Sequence, residues 1–197
     1  DLVYVPSLAR DILEQISFEA RESEYIDNKS GVSARMSITA FENLISTAER
    51  RALLSGVDKT TLRLSDFIGI IPAITGKVEL VYEGEQEGAD VVAESLIGSA
   101  IKTLFTEYFP KIEKLEKPDE KTPYSDVVEW FFAESGFELL DDASDAAYKS
   151  ILDEVTPLDL LYAPINANPN RGININFLSD VKGKYHSPVN FILKYSR

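Results

Sequence analysis

Residues 31–56 read GVSARMSITAFENLISTAERRALLSG, and they decide the fold class. After Gly31, Val32 and Ser33, apolar side chains recur three and four residues apart: Phe41, Leu44, Ile45, Ala48, Ala52 and Leu53. Glu42, Asn43, Glu49 and Arg50 oppose them. That period predicts an amphipathic helix beginning near 31–33 and running to Leu54, with Gly56 as its stop. Upstream, Pro6-Ser7 opens a second helical run in which Leu8, Ile12, Ile16 and Ala20 share a face that Leu13 and Phe18 broaden. Downstream, Ser65-Asp66 predicts the cap of a short helix over 67–74, interrupted at Pro72. Lys77 to Tyr82 alternates polar and apolar residues like a short strand, and Glu83 to Gly88 reads as a loop. Helical spacing resumes from Ala89 to Phe109 through Val92, Leu96, Ala100, Leu104 and Tyr108.

Residues 110–123 are charged and hold three prolines, the composition of a linker. Two shorter helices are predicted beyond it, over 124–134 and 144–155, with a helical turn at 157–162. From Pro164 onward the helical period is gone. Six of the eight asparagines lie there, and Ile173 to Phe177 alternates, so 164–197 reads as irregular or short-strand structure. The fold class expected is mainly α: a helical bundle with a short strand or loop segment, a helical extension and an irregular C-terminal tail.

Composition excludes much chemistry. The chain has 197 residues with 44% hydrophobic side chains, enough for one or two cores. It has no cysteine, hence no disulfide, thiolate metal site or cysteine nucleophile. A single histidine, His186, has no neighbouring carboxylate or nucleophile pattern and removes most zinc and Ser-His-Asp chemistry. Twenty Lys and Arg against 33 Asp and Glu leave a net charge of −13, which disfavours nucleic acid and anionic lipid. The charge is uneven: Arg171, Lys182, Lys184, Lys194 and Arg197 against Asp180 put 164–197 at +4, so the first 163 residues sit at −17. No apolar run reaches the ~18–20 residues of a membrane span, and no signal peptide opens the chain. The start at Asp1, with Met36 the sole methionine, predicts a piece of a longer protein.

Four motifs invite chemistry and yield little. Thr75-Gly76-Lys77 lacks the upstream glycine (Ile71 stands there) and the following Ser/Thr (Val78) of a phosphate loop, so it reads as a turn. Glu83, Glu85, Glu87 and Asp90 lack the ligand alternation of a calcium loop and read as a solvated acidic face. Asp141, Asp142 and Asp145 are similar, with Ser144-Asp145 as helix-cap chemistry. Trp130-Phe131-Phe132 beside Val127-Val128 reads as core or interface anchors. No metal-ligand set emerges. Arg35 is different. It is a cation in the first turn of the strongest helix, where the dipole favours an anion, and it becomes sensible if an anion docks beside it; the plain alternative is a tolerated exposed arginine.

The stretch GVSARMS from Gly31, followed by FENL from Phe41 and AERRAL from Ala48, resembles the lid region of AAA+ ATPases of the magnesium-chelatase ATPase-subunit type. PAITGKVELVYEGEQEG, residues 72–88, is similar to the continuation in their MoxR-like bacterial relatives. The likeness covers about residues 1–109 and extends more loosely to Val155. The linker over 110–123, the helical extension over 124–163 and the Asn-rich tail over 164–197 come from the residue pattern, and the tail matches nothing in that family; the likeness implies a sensor-2 lid over 1–109. It also implies that Arg35 matches the sensor-2 arginine, the candidate catalytic and nucleotide-binding residue, which contacts the terminal phosphates of ATP. ATP and Mg are then cofactors of the full-length parent. The phosphate loop, the magnesium-binding strand and sensor 1 are not in these residues, so the fragment is expected to bind neither and not to hydrolyse ATP by itself. The implied partners are an upstream AAA+ core domain, neighbouring subunits of a ring oligomer and a remodelled protein of unknown identity, in the cytoplasm, with no nucleic acid and no membrane insertion. The alternative from a different class is an acidic helical interaction module without a nucleotide role.

Overall fold

The computed structural model describes residues 2–27, 29–109, 124–133, 140 and 142–154. The expected linker 110–123, the turn at 157–162, the tail 164–197, Asp141 and His186 lie outside the described residues. The fold is mainly helical. Helices α1 (Ser7–Glu22), α2 (Ala34–Ser55), α3 (Ile71–Thr75), α4 (Tyr82–Glu87), α5 (Ala89–Tyr108), α6 (Ser125–Ala133) and α7 (Asp145–Asp153) are joined by a 3-10 helix over Leu64–Ile70. Strands β1 (Val3–Tyr4) and β2 (Thr60–Thr61) pair in parallel, Val3 opposite Thr60 and Tyr4 opposite Thr61.

The long helices follow from their punctuation. Ser33 is extended and its hydroxyl accepts the Arg35 backbone N–H at 3.2 Å, satisfying one of the free donors at the start of α2. Gly56 ends the helix at φ 67°, a conformation that costs a side chain but not glycine, and the Val57 N–H closes back on the Ala52 carbonyl at 3.0 Å. One apolar cluster holds the bundle. Leu8, Ala9, Ile12, Ile16 and Ala20 of α1 meet Met36, Ala40, Leu44 and Ala48 of α2 and Val92, Ala93, Leu96 and Ala100 of α5. Phe67, Ile70 and Ile74 fill it from the 3-10 helix and α3, and Tyr124 and Val127 join it from beyond the expected linker. Burial pushes the Tyr124 phenol well above its ordinary pKa near 10. The 3-10 helix lies so close to α2 that a Cβ on Gly69 would stand 2.0 Å from the Thr47 hydroxyl oxygen. A side chain there would force Thr47 to move.

Several expectations are corrected. Leu53 is 76% exposed rather than part of the inner stripe of α2. At about 100° per residue it lies nine positions from Leu44, on the opposite side of the helix. Phe41 and Ile45 are half-buried at the edge of the stripe. Phe18 is exposed on α1 and carries the Arg21 guanidinium over its ring. The short strand expected over 77–82 is reduced to a single antiparallel bridge of Leu80 with Ile26. The loop expected over 83–88 is helix α4, with Glu83 and Glu85 in its first turn, where their charge suits the dipole. Asp66 does not precede its short helix as a cap; it sits in the first turn and reaches back to accept the Arg63 backbone N–H at 2.8 Å. Among the described residues, no helix is long and apolar enough to cross a membrane.

Candidate functional site

Arg35 occupies the second position of α2. The Ser33 cap and the burial of Met36 orient the first turn, so Met36 points into the core while Arg35 is exposed. Among the described residues its guanidinium has no ion pair and no hydrogen-bond acceptor. A free cation at the positive end of a 22-residue helix has unfavourable local electrostatics and is open to an anion.

A groove of about 430 Å³ runs between α1 and the start of α2, with Ala34 and Ser37 in its wall. Its cations stack on its aromatics: the Arg10 guanidinium lies 5.8 Å from the centre of the Phe41 ring, and Arg21 5.7 Å from that of Phe18. Glu14 is the acidic side chain in its lining, so Arg10 and Arg21 leave the lining at +1 on a chain at −13. The Ser17 and Ser37 hydroxyls, 2.8 Å apart, tie α1 to α2 beside the groove.

The other end of α2 holds a second polar centre of opposite character. Arg51 is 5% exposed, Arg63 2% and Asp66 3%. Arg51 grips Asp66 with two nitrogens, Nη2 to Oδ2 at 2.8 Å and Nε to Oδ1 at 3.3 Å, and donates to the Thr60 hydroxyl at 2.6 Å and the Thr61 carbonyl at 2.8 Å. Asp145, at the start of α7, completes it: its Oδ1 accepts from Arg63 at 2.6 Å and from Arg51 at 3.2 Å, and its Oδ2 accepts the Thr61 backbone N–H at 2.9 Å. The Tyr148 ring stacks 4.0 Å from the Arg63 guanidinium. Charges this deep persist because they are paired and hydrogen-bonded on several sides.

Arg35, singled out from the sequence, is thus separated from this centre by most of the length of α2. Asp145 does more than the expected cap chemistry. Ser144 does cap α7, accepting the Ala147 N–H at 3.3 Å, while the carboxylate of Asp145, in the first turn, binds two arginines. Arg51, Arg63 and Asp66 were not legible as a group, although one signal existed. Arg51 lies seven residues after Leu44, almost two full turns, and so shares its buried side. The side chains of Glu83, Glu85, Glu87 and Asp90 are exposed on α4 and its junction with α5. Of the aromatic run, Trp130 packs partly against the core and Phe132 is exposed. Among the described residues no three His, Asp or Glu side chains gather in a way that could hold a metal ion. No family model matches the chain, and no match was found among curated proteins or solved structures.

Proposed function

We propose that this chain is the sensor-2 lid of an AAA+ ATPase of the magnesium-chelatase and MoxR-like type, and that Arg35 is the group through which it senses ATP. The observation that carries the reading is the exposed, unpaired guanidinium of Arg35 at the capped N-terminus of α2. The chemistry suits that role. Phosphoryl transfer is accelerated mainly by positioning and by stabilising charge on the phosphate oxygens, and a guanidinium beside helix N–H groups can do both. On this reading the nucleotide and its Mg are held by an AAA+ core outside these residues. Arg35 would donate to a terminal phosphate oxygen of ATP held by that core. Loss of the γ-phosphate removes the acceptor, and a lid held through one charged contact is then free to change its angle. On this reading the protein works as a ring in the cytoplasm and remodels a protein partner.

The test is steady-state ATP turnover of the longer protein carrying the upstream core. Arg35→Ala is expected to lower turnover by about tenfold or more, the loss of roughly 1.4 kcal/mol of transition-state stabilisation, with the melting temperature unchanged. Arg35→Lys, which keeps the charge but not the fork of donors, is expected to fall between. Unchanged turnover in both variants overturns the sensing role and leaves an acidic interaction module as the better account.

A further inference from the structure

The buried centre at the C-terminal end of α2 has the construction of a binding site with its ligand in place. Four donors converge on one carboxylate: Arg63 Nη2 at 2.6 Å, Arg51 Nη1 at 3.2 Å, the Thr60 hydroxyl at 3.2 Å and the Thr61 N–H at 2.9 Å. Three of the donors are set independently of that carboxylate, whereas Arg63 Nη2 also donates to the Ala143 carbonyl at 3.0 Å, so the segment that brings Asp145 holds Arg63 at two points. Asp66 and the Thr61 carbonyl orient Arg51, and the pairing of β2 with β1 fixes Thr60 and Thr61. The carboxylate arrives from far along the chain and sits at the mouth, its side chain 35% exposed against 5% and 3% for the two arginines.

We propose that Arg51, Arg63, Thr60 and the Thr61 amide form a receptor for an acidic helix start, that Asp145 is its resident ligand, and that α7 is therefore a self-docked segment that leaves and returns as a unit. The occupant is defined by two side chains. Tyr148, three residues after Asp145 and on the same side of α7, covers the Arg63 guanidinium, so the recognised pattern is a carboxylate followed by an aromatic ring one turn later. Tyr148 is buried, while Ala146, Ala147, Lys149, Ser150 and Asp153 of α7 are exposed. With nine residues, α7 is shorter than the ~12–15 that a helix needs to persist alone in water, so undocking melts it. Undocking also takes from Arg63 a carboxylate that its burial makes costly to lose, which makes docking close to all-or-none and lets a second acidic segment compete for the vacated donors. This inference stands without the nucleotide reading.

The test compares the full 197-residue chain with its Asp145→Asn/Tyr148→Ala double variant by amide hydrogen exchange. Protection over 145–153 is expected to fall tenfold or more, with α2 and α5 as protected as in the wild type. Unchanged protection over 145–153, or an equal loss across α2 and α5, overturns the proposal. A synthetic peptide of residues 142–154 is then titrated into both chains. It is expected to bind the double variant, to bind the wild type at least tenfold more weakly because the site is filled, and to lose at least tenfold in affinity when it carries Asp145→Asn. Failure to bind the double variant, or equal binding of the two peptides, overturns the receptor.

Discussion

Arg35 and Arg51 sit sixteen residues apart on α2, about 24 Å along its axis, and the fold treats them in opposite ways. Arg51 is sealed from water and meets Asp66, Thr60, Thr61 and Asp145. Arg35 stands in solvent at the opposite end, where the helix dipole works against its charge and no carboxylate approaches among the described residues. Residue type alone does not distinguish them. A buried, fully paired arginine costs much when removed and does its work by holding elements together, whereas an exposed and unpaired one contributes little to stability and is available to a ligand. One end of the helix is tied to its neighbours, and the guanidinium at the other end stands open to solvent.

The contrast can be broken most forcefully at Arg51. Arg51→Ala strands the buried Asp66 carboxylate and is expected to cost about 3–5 kcal/mol in a denaturant titration. A loss below about 1 kcal/mol would mean that water reaches the centre and that the two ends are not so different. Phe41→Ala comes next. A fully buried ring would cost about 3–5 kcal/mol, but Phe41 is half-buried in the groove wall, so about 2 kcal/mol is expected from the same titration. Ser33→Ala removes the cap that shapes the first turn and is expected to cost about 1 kcal/mol; a null effect would show that the Arg35 N–H finds water equally well. Arg35→Ala is expected to have the smallest effect, within about 0.5 kcal/mol and on the stabilising side, because it relieves the clash with the dipole. A large loss there would place Arg35 in a structural role and erase the distinction.

Legibility in the sequence followed the range of the interactions. The limits of α1, α2 and α5 were readable because period, Ser33, Gly56 and Gly88 act within a few residues. Helix α4 was missed because its acidic, glycine-containing sequence resembles a loop; its Gly84 is fixed by the Tyr25 carbonyl, which a Cβ would approach to 2.5 Å from nearly sixty residues away. Leu53 was legible from its angle, about 180° from Leu44, and its apolar character misled the reading. Arg35 could be singled out because its electrostatic misfit is local to one helical turn. The role of Asp145 could not, since its partners Arg51 and Arg63 are more than eighty residues away along the chain.

Composition, period and capping residues therefore determined a mainly helical chain, the ends of its long helices and the oddity of a cation at the head of α2. Those properties depend on backbone geometry and on neighbours within one or two turns. Tertiary structure alone decided which acidic residues answer the buried arginines and which distant segments meet around them. Burial and ion pairing between distant segments depend on a closure of the chain that no local pattern encodes.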